Sequence, residues 1–225
     1  MISLREFVGG FSGFWNDRLP YLTSGLIEEW NRVGAVGYDV RRYESRVDNP
    51  GHFGGSDLVA EMGFLVLARA VSQQRSVSDV LASAEELANI RADTVKRVGA
   101  LRRIPGTAAQ VLEWRAREVS SLALSLESYL RSAPELQPLV CEPQFSGCGA
   151  LESCTGDLIA GTCLLEVKAV ERTLRSIDVR QLLTYCALNY ESGKLRFRSL
   201  SHGRLRQSAM ARMISLRTRG LGRSA

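Results

Sequence analysis

The chain has 225 residues, 45% hydrophobic and 24% charged, which excludes a collagen-like or wholly disordered chain and leaves enough residues for a sizeable core. Its net charge of +5 is unevenly placed. Residues 194–225 hold nine basic residues and no acid, so the first 193 residues sum to −4, and the basic end points to a polyanion or a solvated tail. The longest nearly apolar stretch, Met62–Val71, is interrupted by Arg69 and is too short to span a bilayer. Arg5 and Glu6 precede any apolar run, so no secretory signal is expected and the cytoplasm is the expected location. Five cysteines without CxxC spacing argue against a disulfide framework or a zinc ribbon. With only His52 and His202, a histidine metal site or a Ser-His-Asp triad has little to work with. Acid–base or metal chemistry therefore falls to carboxylates and lysine.

In chain order, residues 1–105 read as a helical N-terminal region broken at Gly9-Gly10, Asn49-Pro50-Gly51 and Gly54-Gly55. Ser56 and Asp57 are expected to cap a helix through Val71, apolar on nearly all sides and so central to a bundle. Ser78 is expected to cap a helix through Leu87, and Thr94 one through Arg103. Pro105-Gly106 ends the region. Thr107 then opens a long helix to Ser132, with Leu112, Ala116, Val119, Ala123, Leu126 and Leu130 at 4-3-4-3-4 spacing on one face. Pro134 and Pro138 stop it.

Strand texture follows. Leu139–Phe145 reads as a strand whose Pro143 implies an edge or a bulge. Asp157–Ala160 and Cys163–Val170 read as a hairpin turned at Gly161-Thr162. Ser176 caps a helix to Tyr190, ended by Ser192-Gly193, and Leu195–Leu200 is a last strand. The order is helix, three strands, helix, strand.

Two charges set into an apolar strand mark the candidate site. Strand alternation puts Glu166 and Lys168 on one side. Burying either unpaired costs several kcal/mol, so something must compensate. A divalent cation held by Asp157 and Glu166 would do so, since hard cations take carboxylate, carbonyl and water oxygens and leave positions for phosphate. Lys168 beside it would orient or deprotonate an attacking water. On the next helix, Asp178, Gln181 and Tyr185 form a polar stripe beside an apolar one of Leu182, Leu183, Cys186 and Tyr190. Gln181 and Tyr185, one turn apart, face one way.

Residues 139–190, with Gly156-Asp157, Glu166-Val167-Lys168 and Gln181-x-x-x-Tyr185, resemble the core of the PD-(D/E)xK nuclease superfamily, and the glutamine–tyrosine pair resembles the QxxxY motif of its RecB-like branch. The resemblance extends loosely over 107–200. It implies an α/β fold, an αβββαβ restriction-endonuclease-like core over 106–203, behind the helical N-terminal region and ahead of an Arg-rich tail, 204–225. It further implies a deoxyribonuclease using Mg²⁺ or Mn²⁺, in a DNA-repair or phage-defence setting. Metal ligation would fall to Asp157, Glu166 and Val167, help with the water to Lys168, and substrate contact or support of the site to Gln181 and Tyr185. Gly156 stands where the family often has proline. An extra acid on the first helix is open among Glu113, Glu118 and Glu61.

Arg172, Arg175 and Arg180 surround the start of the helix after Lys168, and either neutralise DNA phosphates or form a solvated helix end. DNA is the expected partner, with a protein partner also open to the N-terminal helices. The rival readings are a catalytically silent nucleic-acid-binding or assembly module of the same fold, and an RNase using the same site.

Overall fold

The computed structural model describes residues 1–36, 55–101, 108–132, 136–168, 173–193, 199–200 and 212–214. Three short N-terminal helices come first: α1 (Leu4–Gly10), α2 (Ser12–Arg18) and α3 (Ser24–Val36). Ser3 opens α1 with a capping box, its hydroxyl accepting from the Glu6 N–H while the Glu6 carboxylate accepts from the Ser3 N–H.

The central helix is α4 (Ser56–Ser72). Its Leu58, Val59, Met62, Phe64, Leu65, Val66, Leu67 and Ala70 are all buried, which is why the sequence shows almost no polar face. Gly63 lets the helix that carries Leu122 come close: a β-carbon there would stand 2.8 Å from the Leu122 side chain. The cap differs from expectation. Gly55, at φ 114°, holds the N-cap position, and Ser56 and Asp57 already lie in the first turn. Only glycine adopts that backbone angle without strain.

Two further helices begin elsewhere than expected. α5 (Val77–Ala82) is capped by Ser76, not Ser78, because Ser76 and Asp79 form the reciprocal capping box. Ser83 leaves the helical conformation, and α6 (Ala84–Leu101) runs on as one helix. Thr94 is not a cap. It is buried within α6, its hydroxyl donating to the Ile90 carbonyl one turn back. The long helix is divided at Arg115 into α7 (Ala108–Trp114) and α8 (Ala116–Ser132), and Thr107 lies outside the described residues. The break shifts the face: Leu112, Val119, Ala123, Leu126 and Leu130 are buried, but Ala116 is exposed.

The strands are β1 (Leu139–Cys141), β2 (Gln144–Phe145), β3 (Cys154–Thr155), β4 (Leu158–Ala160), β5 (Cys163–Lys168), β6 (Ser199–Leu200) and β7 (Arg212–Ile214). The stretch 139–145 is two strands rather than one. Glu142, at φ 53°, turns the chain so that β1 enters the main sheet and β2 pairs with β3 in a small separate ladder. The main sheet runs β1-β4-β5-β6, with β1 at its edge, and β7 also pairs with β5. All its pairings are antiparallel except β5–β6. β7 falls in the Arg-rich segment, where no strand was expected.

Helix α9 (Ser176–Ser192) follows β5. Arg175 occupies its N-cap position, with Ser176 the first helical residue, and Gly193 closes it in the left-handed conformation. Strand alternation then sorts the layers. Leu158, Ala160, Cys163, Leu165 and Val167 pack with α4 to α8. Ile159 and Leu164 point the other way, into a core with Val179, Leu182, Tyr185 and Leu188 of α9 and Ile27 of α3. The sheet lies between two helical layers, an α/β arrangement of helices about a small, mostly antiparallel sheet. No described helix is long and apolar enough to cross a membrane.

Candidate functional site

Glu166 has the parity of Leu164, so it faces α9. It is 3% exposed in an otherwise apolar layer. The antiparallel register that pairs Leu158 with Leu165 places Asp157, just before β4, next along and across from Glu166 on β5. One Asp157 carboxylate oxygen, Oδ2, accepts the Val167 N–H at 2.6 Å, which ties the two strands together beside Glu166.

Gln181 stands opposite, on α9. Its amide nitrogen donates to Glu166 Oε1 at 2.7 Å and to the Tyr185 hydroxyl oxygen at 2.9 Å. A carboxylate only accepts, so these partners fix which way the amide is turned. Tyr185 Oη in turn donates to the Thr155 carbonyl at 3.1 Å. The chain Glu166–Gln181–Tyr185–Thr155 thus crosses from the main sheet through α9 to the small ladder. A hydrogen bond to a charged group is worth about 1.5–3 kcal/mol, so Gln181 offsets part of the cost of burying Glu166.

Tyr185 is 2% exposed and faces the interior, not an open cleft. Burial, and then the nearby Glu166 charge, push its hydroxyl well above the usual phenol range. It is therefore a neutral hydrogen-bonding group at physiological pH. The Cys154 thiol is pushed up to about 11 by burial and by Glu166, so it stays protonated.

Lys168 is the last residue of β5, and its backbone pairs with Arg212 of β7. Arg172 and His52 lie outside the described residues. Arg175 is exposed at the α9 N-cap, its N–H donating to Asp178. Asp178 is consequently a buried helix-start residue and not part of a polar stripe with Gln181. Tyr190 leaves the apolar stripe altogether, at 79% exposure. Arg180 turns to the N-terminal helices, with its guanidinium over the Trp15 ring at 5.6 Å and a 3.4 Å bond to the Val8 carbonyl.

The three first-helix acid candidates separate. Glu113 is exposed, and Glu118 pairs with Arg115 at 2.5 Å. Glu61 pairs with Arg97 at 3.5 Å, and burial raises its pKa. Arg97 also holds Glu142, whose N–H donates to the Asp157 carbonyl. Of the three, Glu61 thus belongs to the network that reaches Asp157.

Phe145 was not a sequence candidate. Its ring stacks on Tyr185, and Gly156 is confined by it, since a β-carbon at 156 would stand 2.9 Å from the Phe145 ring. The signal was available: a glycine before the aspartate, where the resembled family often has proline, marks a close approach. Asp157 and Glu166 supply carboxylate oxygens, the donor chemistry that suits Mg²⁺ or Mn²⁺. Among the described residues no group of three or more His, Cys, Asp or Glu gathers for a metal.

The chain matches no family model, no curated protein and no solved structure.

Proposed function

We propose that the chain is a nuclease that hydrolyses DNA phosphodiester bonds with Mg²⁺ or Mn²⁺, on a restriction-endonuclease-like core. The observation that carries the reading is the hydrogen-bonded group of Glu166, Gln181 and Tyr185 from β5 and α9, with Asp157, just before β4, bonded to the neighbouring Val167 amide. Structural packing alone gives little reason to bury a glutamate against a glutamine in an apolar layer.

Asp157 and Glu166 would hold the cation, with the Val167 main chain fixed alongside by its bond to Asp157. When bound, the cation supplies charge neutralisation for the phosphate and activation of water. Gln181 holds Glu166 in orientation, and Tyr185 holds Gln181. Lys168, two residues beyond Glu166 on β5, is assigned the proton handling and electrostatic stabilisation at the scissile phosphate. Tyr185 is a positioning residue in this scheme, because its hydroxyl is buried and already bonded to Gln181 and Thr155.

The test is a cleavage panel of linear, circular and single-stranded DNA and of RNA, each with Mg²⁺, Mn²⁺ or chelator. Metal-dependent DNA cleavage, lost in Asp157→Asn, supports the reading. Cleavage of RNA alone makes the protein a ribonuclease, and DNA binding without turnover makes it a silent binding module.

A further inference from the structure

Asp157 is held from two sides. Its carboxylate binds the Val167 N–H on β5. Its main chain is held by the turn between β1 and β2: the Glu142 N–H donates to the Asp157 carbonyl at 2.8 Å, and the Gly156 N–H donates to the Pro143 carbonyl at 3.0 Å. The turn therefore grips the residues that carry the aspartate.

That turn is itself unusual. Glu142 sits at φ 53°, a left-handed conformation that residues with a β-carbon adopt at a cost. Surrounding contacts must hold it there. The Glu142 side chain reaches α6, where both terminal nitrogens of the Arg97 guanidinium meet its two carboxylate oxygens. Arg97 projects from a well-anchored helix, with Ile90, Thr94 and Val98 buried beneath it. It also reaches Glu61 on α4. One arginine thus joins α6 and α4 to the turn behind Asp157.

We infer that Arg97 and Glu142 are positioning residues for Asp157, clasping the β1–β2 turn so that the aspartate meets the Val167 amide. The significance of the clasp rests on the reading of Asp157 as a site residue, because a displacement of about an ångström in a reacting group costs on the order of a hundredfold in rate. The geometry of the clasp stands whether or not the chain is a nuclease. The competing view is an ordinary surface ion pair, which contributes little. Both side chains are partly exposed, so only a measurement at Asp157 separates the two.

The Val167 amide supplies that measurement, since its proton is bonded to Asp157. The experiment compares hydrogen exchange at Val167 with exchange at Leu164 and Leu165 on the same strand, in wild type, Arg97→Gln and Glu142→Gly. Glycine at 142 keeps the N–H and suits the backbone angle while removing the carboxylate, so this variant folds even if Arg97→Gln does not. Val167 is expected to exchange at least tenfold faster in both variants, with Leu164 and Leu165 unchanged. The exchanged pair, Arg97→Glu with Glu142→Arg, should recover part of the protection. If Val167 exchange is unchanged in Glu142→Gly while an Asp157→Ala control accelerates it, the clasp does not position Asp157. Equal acceleration along the whole strand also overturns the inference, because it reports general loosening. Mn²⁺ titration and single-turnover cleavage on the same variants read the proposed function separately. An inactive wild type with a Val167-specific effect removes the nuclease reading and leaves the clasp.

Discussion

The Phe145 ring lies nearly parallel to that of Tyr185, with centroids 4.9 Å apart and planes 18° from parallel. The small β2–β3 ladder and α9 meet through this pair. Tyr185 reaches Thr155 through its hydroxyl and Phe145 through its face, so both strands of the ladder steady the residue that steadies Gln181.

Gly156→Ala should disturb this stack. The new methyl would stand 2.9 Å from the Phe145 ring, which must move away from Tyr185 or push the turn outward. Overpacking of this kind costs about 1–3 kcal/mol. Urea unfolding should show the loss. Cleavage should fall further than the unfolded fraction explains, because Gln181 loses its support.

Charge removal at constant shape tests the two carboxylates. Asp157→Asn retains an oxygen for the Val167 N–H, and Glu166→Gln retains one for Gln181, so each fold should survive. Loss of the buried Glu166 charge should leave the melting temperature unchanged or higher without metal. Calorimetric titration should show Mn²⁺ binding in wild type and little in either variant. Wild type that binds no Mn²⁺ with DNA present contradicts the site.

Lys168→Met keeps the stem and removes the charge. Metal binding should survive, and the chemical step should slow by roughly a hundredfold or more. DNA affinity should change only slightly, since one phosphate contact among several is lost. Unchanged single-turnover cleavage would remove Lys168 from the mechanism.

Tyr185 should make stability depend on alkaline pH. Burial and the Glu166 charge raise its folded-state pKa above that of the unfolded chain. The folded state then keeps a proton that the unfolded chain gives up. Its contribution is complete below about pH 10, the unfolded value, and falls by about 1.4 kcal/mol per unit above it. Denaturant titrations from pH 9 to 11 should show a steeper loss for wild type than for Tyr185→Phe. Equal slopes would mean that the hydroxyl is not held in its neutral form.

The cysteines should divide by reactivity. Cys148 is exposed, whereas burial pushes the Cys141 and Cys186 thiols up to about 12 and Cys154 to about 11. Thiolate is the reactive form, so brief alkylation near pH 8 should modify Cys148 first. Early modification of Cys186, read by mass spectrometry, would contradict the burial of α9.

The sequence by itself determined features that rest on local spacing. The buried stripe Leu112, Val119, Ala123, Leu126 and Leu130, the β4–β5 hairpin turned at Gly161, and the glycine stop of α9 follow from side-chain period and from the backbone freedom of glycine. Alternation along β5 was enough to set Glu166 apart from Leu165 and Val167, and helical period was enough to set Gln181 and Tyr185 on one side of α9. Tertiary structure alone decided what those groups meet. Phe145 under Tyr185, and Arg97 reaching the Glu142 turn behind Asp157, join elements distant in sequence, and no local period records such a partner. The same reason explains Arg180 and Asp178: both read as polar surface on an isolated helix. Packing turns the first onto Trp15, and helix capping buries the second at the start of α9.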